Sequence, residues 1–330
     1  MENVERELTL LPAGVRAYLP EKSRQKRKLI NRLFDLAHQH DFSELDLPTI
    51  DYYDSITRGV SDFLAARTYQ FYDGKGERLA LRPDATAQVA KILSGRLEKE
   101  SLPGRYCYCC RSFRDFELRR GEAREFQQFG SEILGSNCFE ADRDLLFFMF
   151  KMLDCCELEE YIVDLGHVGV YQGLIFDLGL SSGLERKIWK CIHRKNQAEL
   201  SATLSSADLS AERKEALVTL PELYGGEEVF KTANKIKNHS EQTDRALRYL
   251  EKLYQELKEA GLAEVVSIDL GVVRDLDYYT GLVFEALVPG TGKPVVGGGR
   301  YDELYSSYGV EMPATGLALE IERILKSDAI

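Results

Sequence analysis

Phe113-Arg114, then Arg119-Arg120-Gly121, then Arg124-Glu125-Phe126-Gln127-Gln128-Phe129-Gly130-Ser131-Glu132: the reading of the whole chain turns on this stretch. Strand-forming residues occupy 105–110 and 125–134, so the arginines between them fall in a loop joining two strands. Such a loop can aim guanidinium groups at a phosphate, because each offers a charged planar fork of donors. On the second strand Gln128 and Glu132 are four apart and project from one face. An amide and a carboxylate side by side suit a ligand with N–H donors. A charged hairpin that pairs Arg with Glu across the strands fits the same residues.

Two further clusters lie downstream. Arg274-Asp275-Leu276-Asp277-Tyr278-Tyr279-Thr280-Gly281 precedes Val283-Phe284-Glu285 and sets charges and Tyr hydroxyls between apolar strands. Burial there is costly unless a ligand or a polar network satisfies them, whereas a solvated hairpin avoids the cost. Gly297-Gly298-Gly299-Arg300-Tyr301-Asp302 lets backbone approach a ligand or another strand closely. The nearby Pro289-Gly290-Thr291-Gly292-Lys293 lacks the glycine spacing of a phosphate loop and is followed by Pro294, so it reads as a turn.

Between these clusters the spacing predicts a helix from Glu21 to about Gln39, with Leu29, Leu33 and Ala37 recurring beside Ile30 and Phe34. Its polar face is basic (Lys22, Arg24, Lys26, Arg27, Lys28, Arg32) and reads as a solvated face. Short strands are expected at 68–72, 78–81 and 161–165, and a buried helix at 142–153. From 184 to 239 the chain is charged and helical in propensity, broken by Pro221 and Gly225-Gly226. Ser240 to Glu259 reads as an amphipathic helix stopped by Gly261. Strands are expected again at 265–273, 282–288 and 294–297, then a helix at 317–325. Strands interrupted by a helical block and then resumed indicate an α+β domain carrying a small helical insertion at 184–239, between a first part at 1–183 and a second at 240–330.

The 330 residues carry 43 Lys and Arg against 54 Asp and Glu, a net charge of −11. That balance argues against a protein that grips nucleic acid mainly through a basic surface. With 44% hydrophobic and 29% charged residues, wholesale disorder is excluded. The strongest apolar run, Leu145 to Phe150, is far short of the roughly 20 residues that span a bilayer. MENVERELTL lacks the order of a secretory signal, so a cytoplasmic location is expected. Seven cysteines, two pairs of them adjacent in sequence, make a poor disulfide framework. Cys107 and Cys110 form a C-x-x-C with no second pair at zinc spacing, and read as small core residues. No metal or cofactor is expected.

In this order the clusters resemble the catalytic core of class II aminoacyl-tRNA synthetases, and within that class histidyl-tRNA synthetase. The resemblance runs from Leu11-Pro12-Ala13-Gly14 to the last helix. Leu47-Pro48 looks like the family's dimer-forming first motif, Phe113-Arg114 like the second, and Gly316 through Glu322-Arg323 like the third. Arg274 to Gly281 is similar to the histidine-recognition stretch, and Arg82-Pro83-Asp84-Ala85-Thr86 to the amino-group-binding turn. The resemblance implies a synthetase-like antiparallel sheet flanked by helices. It implies that Asp84, Thr86 and Gln128 hold an ammonium group. Glu132 with Tyr278 or Tyr279 would read an imidazole, and Arg274 would face a carboxylate or phosphate. Arg114 and Arg323 would be vestigial nucleotide contacts.

The departures matter as much. Phe116 stands where the synthetase motif has Glu, and Glu117 could replace it only by a register slip that turns it to the other face. Glu320 stands where a Gly normally lies against the nucleotide, and like charge beside a triphosphate costs at least an order of magnitude in affinity. Asp84 replaces a Glu, and Asp275 a Gly. The sequence ends seven residues past Arg323, so no anticodon-binding domain is expected. Histidine-side residues persist while nucleotide-side residues do not.

That pattern resembles the synthetase-like regulatory subunits of two-component ATP phosphoribosyltransferase. The resemblance implies a non-catalytic, dimer-forming chain that assembles with a short catalytic subunit and binds L-histidine as feedback effector, without tRNA binding. Two readings compete: a free-standing synthetase core that adenylates histidine for a non-tRNA acceptor, and an RNA-binding remnant using the Lys22–Arg32 face.

Overall fold

The computed structural model describes residues 10–96, 102–115, 123–176, 178–271 and 278–326. Helix α1 (Pro20–Gln39) begins with Pro20, whose fixed φ suits the first turn and whose missing N–H costs nothing there. It buries Leu29, Ile30, Leu33 and Ala37 on one stripe. Its basic face is partly paired: Arg24 with Glu21, Arg32 with Glu157 and Lys26 with Glu322. The strands that follow are β1 (Ser43–Glu44), β2 (Ile50–Tyr52), β3 (Gln70–Tyr72) and β4 (Arg78–Leu81). Helix α2 (Ala85–Ser94) then leads to the long hairpin of β5 (Gly104–Phe113) and β6 (Glu125–Leu134). Beyond it come α3 (Phe139–Cys155), β7 (Ile162–His167) and α4 (Val168–Ile175).

The charged stretch folds as α5 (Ser182–His193), α6 (Gln197–Ser205) and α7 (Ala211–Thr219), followed by β8 (Tyr224–Gly225). Its apolar side chains, among them Ile188, Leu200 and Leu217, join the main core rather than forming one of their own. Helix α8 (Glu241–Glu259) starts where Ser240 accepts the Thr243 N–H at 3.0 Å, a side-chain cap. Strands β9 (Val266–Asp269), β10 (Leu282–Leu287), β11 (Val296–Arg300) and β12 (Ala314–Glu320) complete the chain, ending in a helical turn at Ile321–Ile324.

Nine strands form one sheet in the order β1-β5-β6-β12-β11-β10-β7-β9-β8. It is antiparallel through its centre, with parallel pairing where β1 joins β5 and β9 joins β7. A second, three-stranded sheet has the order β2-β4-β3. Helices α1, α3 and α8 cover one face of the large sheet with the bulk of the core. A smaller cluster including Val89, Tyr108, Tyr301 and Tyr305 lies on the other face, where α2 packs.

Three expectations change. The segment 317–325 is a strand through Glu320 and helical only afterwards. Leu and Ala favour a helix in isolation, but β6 and β11 pair with β12 on both sides and bury Leu317 and Leu319. The strand expected at 294–297 lies at Val296–Arg300, so the glycine triplet sits inside the sheet. The strand expected at 265–273 is Val266–Asp269. Phe116, Glu117, Arg119, Arg120, Arg274, Asp275 and Asp277 lie outside the described residues.

Candidate functional site

Strand register assembles the site. Residues directly opposite one another in neighbouring strands share a face. Glu132 on β6 stands opposite Gly316 on β12, and Gly316 opposite Gly299 on β11. Gln128 stands opposite Glu320 at the other end of the same face. The floor between them is made of Gly130, Gly297, Gly299, Gly316 and Ala318, and the chain's own side chains lie close against it. A Cβ at Gly316 would collide with the Glu132 carboxylate, and one at Gly130 with the Tyr108 ring. Gly299 adopts φ 152° and lies against the Leu282 carbonyl and the Tyr279 ring, so the triplet serves close approach to a neighbouring strand.

Glu132 is fully buried and accepts hydrogen bonds from three hydroxyls. Thr86 Oγ1 donates to Oε1 at 3.0 Å, Tyr108 donates to the same oxygen at 2.9 Å, and Tyr301 donates to Oε2. Loss of water pushes its carboxyl up to about 8, although the three hydroxyls pull the other way. The expected tyrosines lie nearby. Tyr278 meets the Tyr301 ring edge-on at 5.7 Å and tilts against Tyr279, and Tyr279 is buried against Gly299. Thr86, Tyr108 and Tyr301 supply hydroxyls to Glu132.

Asp84 has a structural task as well. It is the N-cap of α2, accepting the backbone N–H groups of Thr86 and Ala87 at 3.0 and 3.5 Å. Its second oxygen faces Arg114 Nη2 at 3.4 Å. Gln128 accepts from the Ser112 hydroxyl at 2.5 Å. Arg82, also fully buried, clamps this corner by donating to the carbonyls of Leu47, Pro48 and Arg111 and to Gln88 Oε1. Thr86, Glu132, Tyr278 and Tyr279 lie toward one end of the sheet face, Gln128 stands with Glu320 at the other, and Asp84 reaches both Thr86 and Arg114.

Arg114 and Arg323 lie toward the other end. Arg114 donates Nε to the Pro83 carbonyl at 2.8 Å, and its guanidinium sits 4.9 Å over the Phe126 ring. Arg323 pairs with Glu320 at 2.7 Å and donates to the Pro294 carbonyl. The charge of Glu320, expected to stand uncompensated, is matched by Arg323. At the mouth of the hairpin, Arg111 pairs with Glu125 at 2.6 Å and Arg124 with Asp115 at 3.4 Å, so the cross-strand reading of those charges is realised too. Burial pushes the Cys107 and Cys110 thiols up to about 12, the behaviour of core residues.

A sequence model of the histidyl-tRNA synthetase family matches residues 14–324. The ATP phosphoribosyltransferase regulatory subunit of Caldanaerobacter subterraneus is 33% identical over 96% of this chain and 82% of that protein. The protein of the same name from Geobacter sulfurreducens is 34% identical over 96% of this chain and 72% of its own length.

The chain belongs to the family of ATP phosphoribosyltransferase regulatory subunits.

Among solved structures, one from Bacillus halodurans described as an ATP phosphoribosyltransferase regulatory subunit/histidyl-tRNA synthetase superposes with a TM-score of 0.87. It is 29% identical and covers 97% of this chain and 83% of that one. A histidine–tRNA ligase subunit from Alicyclobacillus acidocaldarius superposes at 0.81 with 27% identity, covering 96% of each chain. A histidyl-tRNA synthetase from Nostoc, at 19% identity and 0.80, shares the fold. The class II synthetase-like α+β fold of this regulatory-subunit family is thus present along nearly the whole chain.

Tyr108 and Ser112 carry the site without having been singled out for it, and Arg82 was named only as the first residue of the amino-group-binding turn. Tyr301 was visible in the Gly-Arg-Tyr-Asp run, but nothing local links it to Glu132. The alternation of Tyr106, Tyr108 and Cys110 could have placed Tyr108 on the Gln128 face once β5 and β6 were known to pair.

Proposed function

We propose that this chain is the histidine-sensing regulatory subunit of a two-component ATP phosphoribosyltransferase. It assembles with a short catalytic subunit, supports that subunit's turnover, and lowers it when L-histidine binds. One observation carries the reading: Glu132 is a fully buried carboxylate whose described partners are neutral hydroxyls, set on a floor of glycines. A buried acid of this kind gains when a ligand N–H or cation replaces lost water. Asp84, Thr86 and Gln128 supply acceptors on the same side for an ammonium group, and Tyr278 and Tyr279 supply flat walls for an imidazole. Arg274, outside the described residues, is the group that the resemblance assigns to the ligand carboxylate or an adjacent phosphate. To act as an effector, histidine must bind one state of the complex more tightly than another, by about 1–3 kcal/mol in typical cases.

Self-association as a dimer belongs to the same reading. The small sheet leaves Ile50, Tyr52 and Phe71 exposed on one face, and three-stranded sheets need an apolar face covered. Among the described residues no helix is long and apolar enough to cross a membrane, and a cytoplasmic location fits that and the sequence.

The test mixes the purified chain with a short-form phosphoribosyltransferase and measures turnover with and without L-histidine. Turnover should rise on adding this chain and fall on adding histidine. Glu132→Ala should weaken histidine inhibition at least tenfold while the complex still forms on a sizing column. Unchanged turnover on mixing would end the regulatory reading. Histidine-dependent exchange of pyrophosphate into ATP would favour the competing adenylating enzyme instead.

A further inference from the structure

Arg300 and Tyr301, at the end of β11, turn to opposite faces of the large sheet, as neighbours along an extended chain do. Tyr301 lies in the smaller cluster and donates to Glu132. Arg300 turns to the helix-covered face, where its Nε donates to Asp142 Oδ2 at 2.9 Å. Its Nη1 donates to the Ser136 carbonyl at 3.0 Å and to Asp302 Oδ1 at 2.9 Å. Asp142, on α3, is buried, and the Tyr249 hydroxyl of α8 donates to the same oxygen at 2.5 Å. His167, before α4, meets the Tyr249 ring edge-on at 5.3 Å, and burial pushes its imidazole down to about 4. The charge that answers Asp142 is therefore that of Arg300.

From this pair the hydrogen bonds continue to the site. The Arg300 carbonyl accepts the Thr280 N–H at 2.8 Å and the Thr280 hydroxyl at 3.4 Å. Thr280 directly follows Tyr278 and Tyr279. The same hydroxyl accepts the Asp302 N–H at 3.0 Å, and Asp302 Oδ1 accepts the Ala314 N–H at 3.0 Å. Tyr301 thus sits between two anchored residues. A side chain keeps its working geometry, to within about 0.5 Å, only when the residues behind it are themselves locked. We propose that Asp142 and Arg300 are positioning residues, which from behind the sheet fix the backbone that presents the Tyr301 hydroxyl to Glu132. Glu132 also faces Thr86 from α2 and Tyr108 from β5, with Asp84 and Tyr305 near enough to interact with its charge. Of these contacts, the Tyr301 hydroxyl is the one the brace holds.

Carbon-13 NMR of the full chain labelled at its glutamate carboxyls tests this, the Glu132 signal being assigned by its loss in Glu132→Gln. Tyr301→Phe removes a hydrogen bond that favours the carboxylate, so the Glu132 titration should move to higher pH, by about 0.5 or more. Asp142→Asn keeps the side-chain shape and should move the titration the same way. The two changes together should move it no further than Tyr301→Phe alone. Breaking a buried pair also destabilises the fold. Leu200→Ala, at a buried position of the helical insertion, controls for that: it should lower the melting temperature and leave the titration in place. Should Asp142→Asn not fold, Arg300→Lys, which gives up the fork on Ser136 and Asp302, is measured with the same expectation. A brace variant that titrates like the parent overturns the proposal, as does a double variant in which the shifts add. The consequence for histidine rests on the proposed function: L-histidine binding should weaken about as much in Asp142→Asn as in Tyr301→Phe. A moved titration with unchanged histidine binding supports the brace and counts against the histidine reading.

Discussion

Glu132 and Glu320 stand at two ends of one sheet face, on strands that pair with each other, and both are carboxylates drawn out of water. Their surroundings make them opposites. Glu132 is held by the hydroxyls of Thr86, Tyr108 and Tyr301, which stabilise a carboxylate weakly, so burial dominates and its pKa rises to about 8. Burial raises Glu320 as well, but the charges of Arg323 and Arg114 oppose it, and the carboxylate is locked in an ion pair. The first acid is met by hydroxyls; the second is paired with a charge of the chain itself. The counter-group, not the depth, separates them.

The comparison breaks most readily at Gly316. Gly316→Ala places a methyl inside the Glu132 carboxylate and the Tyr301 hydroxyl, forcing apart the contact that defines the pocket. Overpacking of this kind costs about 1–3 kcal/mol. Histidine binding, followed by calorimetry, should fall by two orders of magnitude or more. Retention of full histidine affinity would place the pocket elsewhere.

Proton linkage sharpens the contrast. A carboxyl held near 8 in the folded chain and near 4.5 when unfolded takes up a proton on folding across that window. The folded state binds more protons there, so the contribution of Glu132 is full below about 4.5 and is lost as pH rises to about 8. Urea denaturation of the parent and of Glu132→Gln at pH 5, 6, 7 and 8 should show the parent losing ground steadily against the variant. A difference that stays constant with pH would mean that Glu132 is ionised throughout, like a paired acid.

The smallest effect is expected at the rim. Arg111 and Glu125 pair at 2.6 Å with the arginine largely in water, where such pairs contribute about 0–1 kcal/mol. Arg111→Ala should shift the urea midpoint little and leave the histidine response as it was. A large loss of that response would show that the hairpin mouth takes part in the site.

Much was legible in the chain itself. The amphipathic stripes of α1 and α8 and the β5–β6 hairpin follow from spacing and residue type, which act over a few residues, whereas the departure at Glu320 shows only against the family resemblance. The hydroxyl cage was not legible, because it joins residues 86, 108, 132 and 301, brought together only when β5, β6, β11 and β12 lie in register. The same holds for the last strand. Leu317 to Glu320 has the local preferences of a helix, and becomes strand because β6 and β11 satisfy its backbone on both sides. Local sequence fixes what each segment prefers; the pairing of distant segments fixes which side chains meet, and so surrounds Glu132 with hydroxyls gathered from distant parts of the chain.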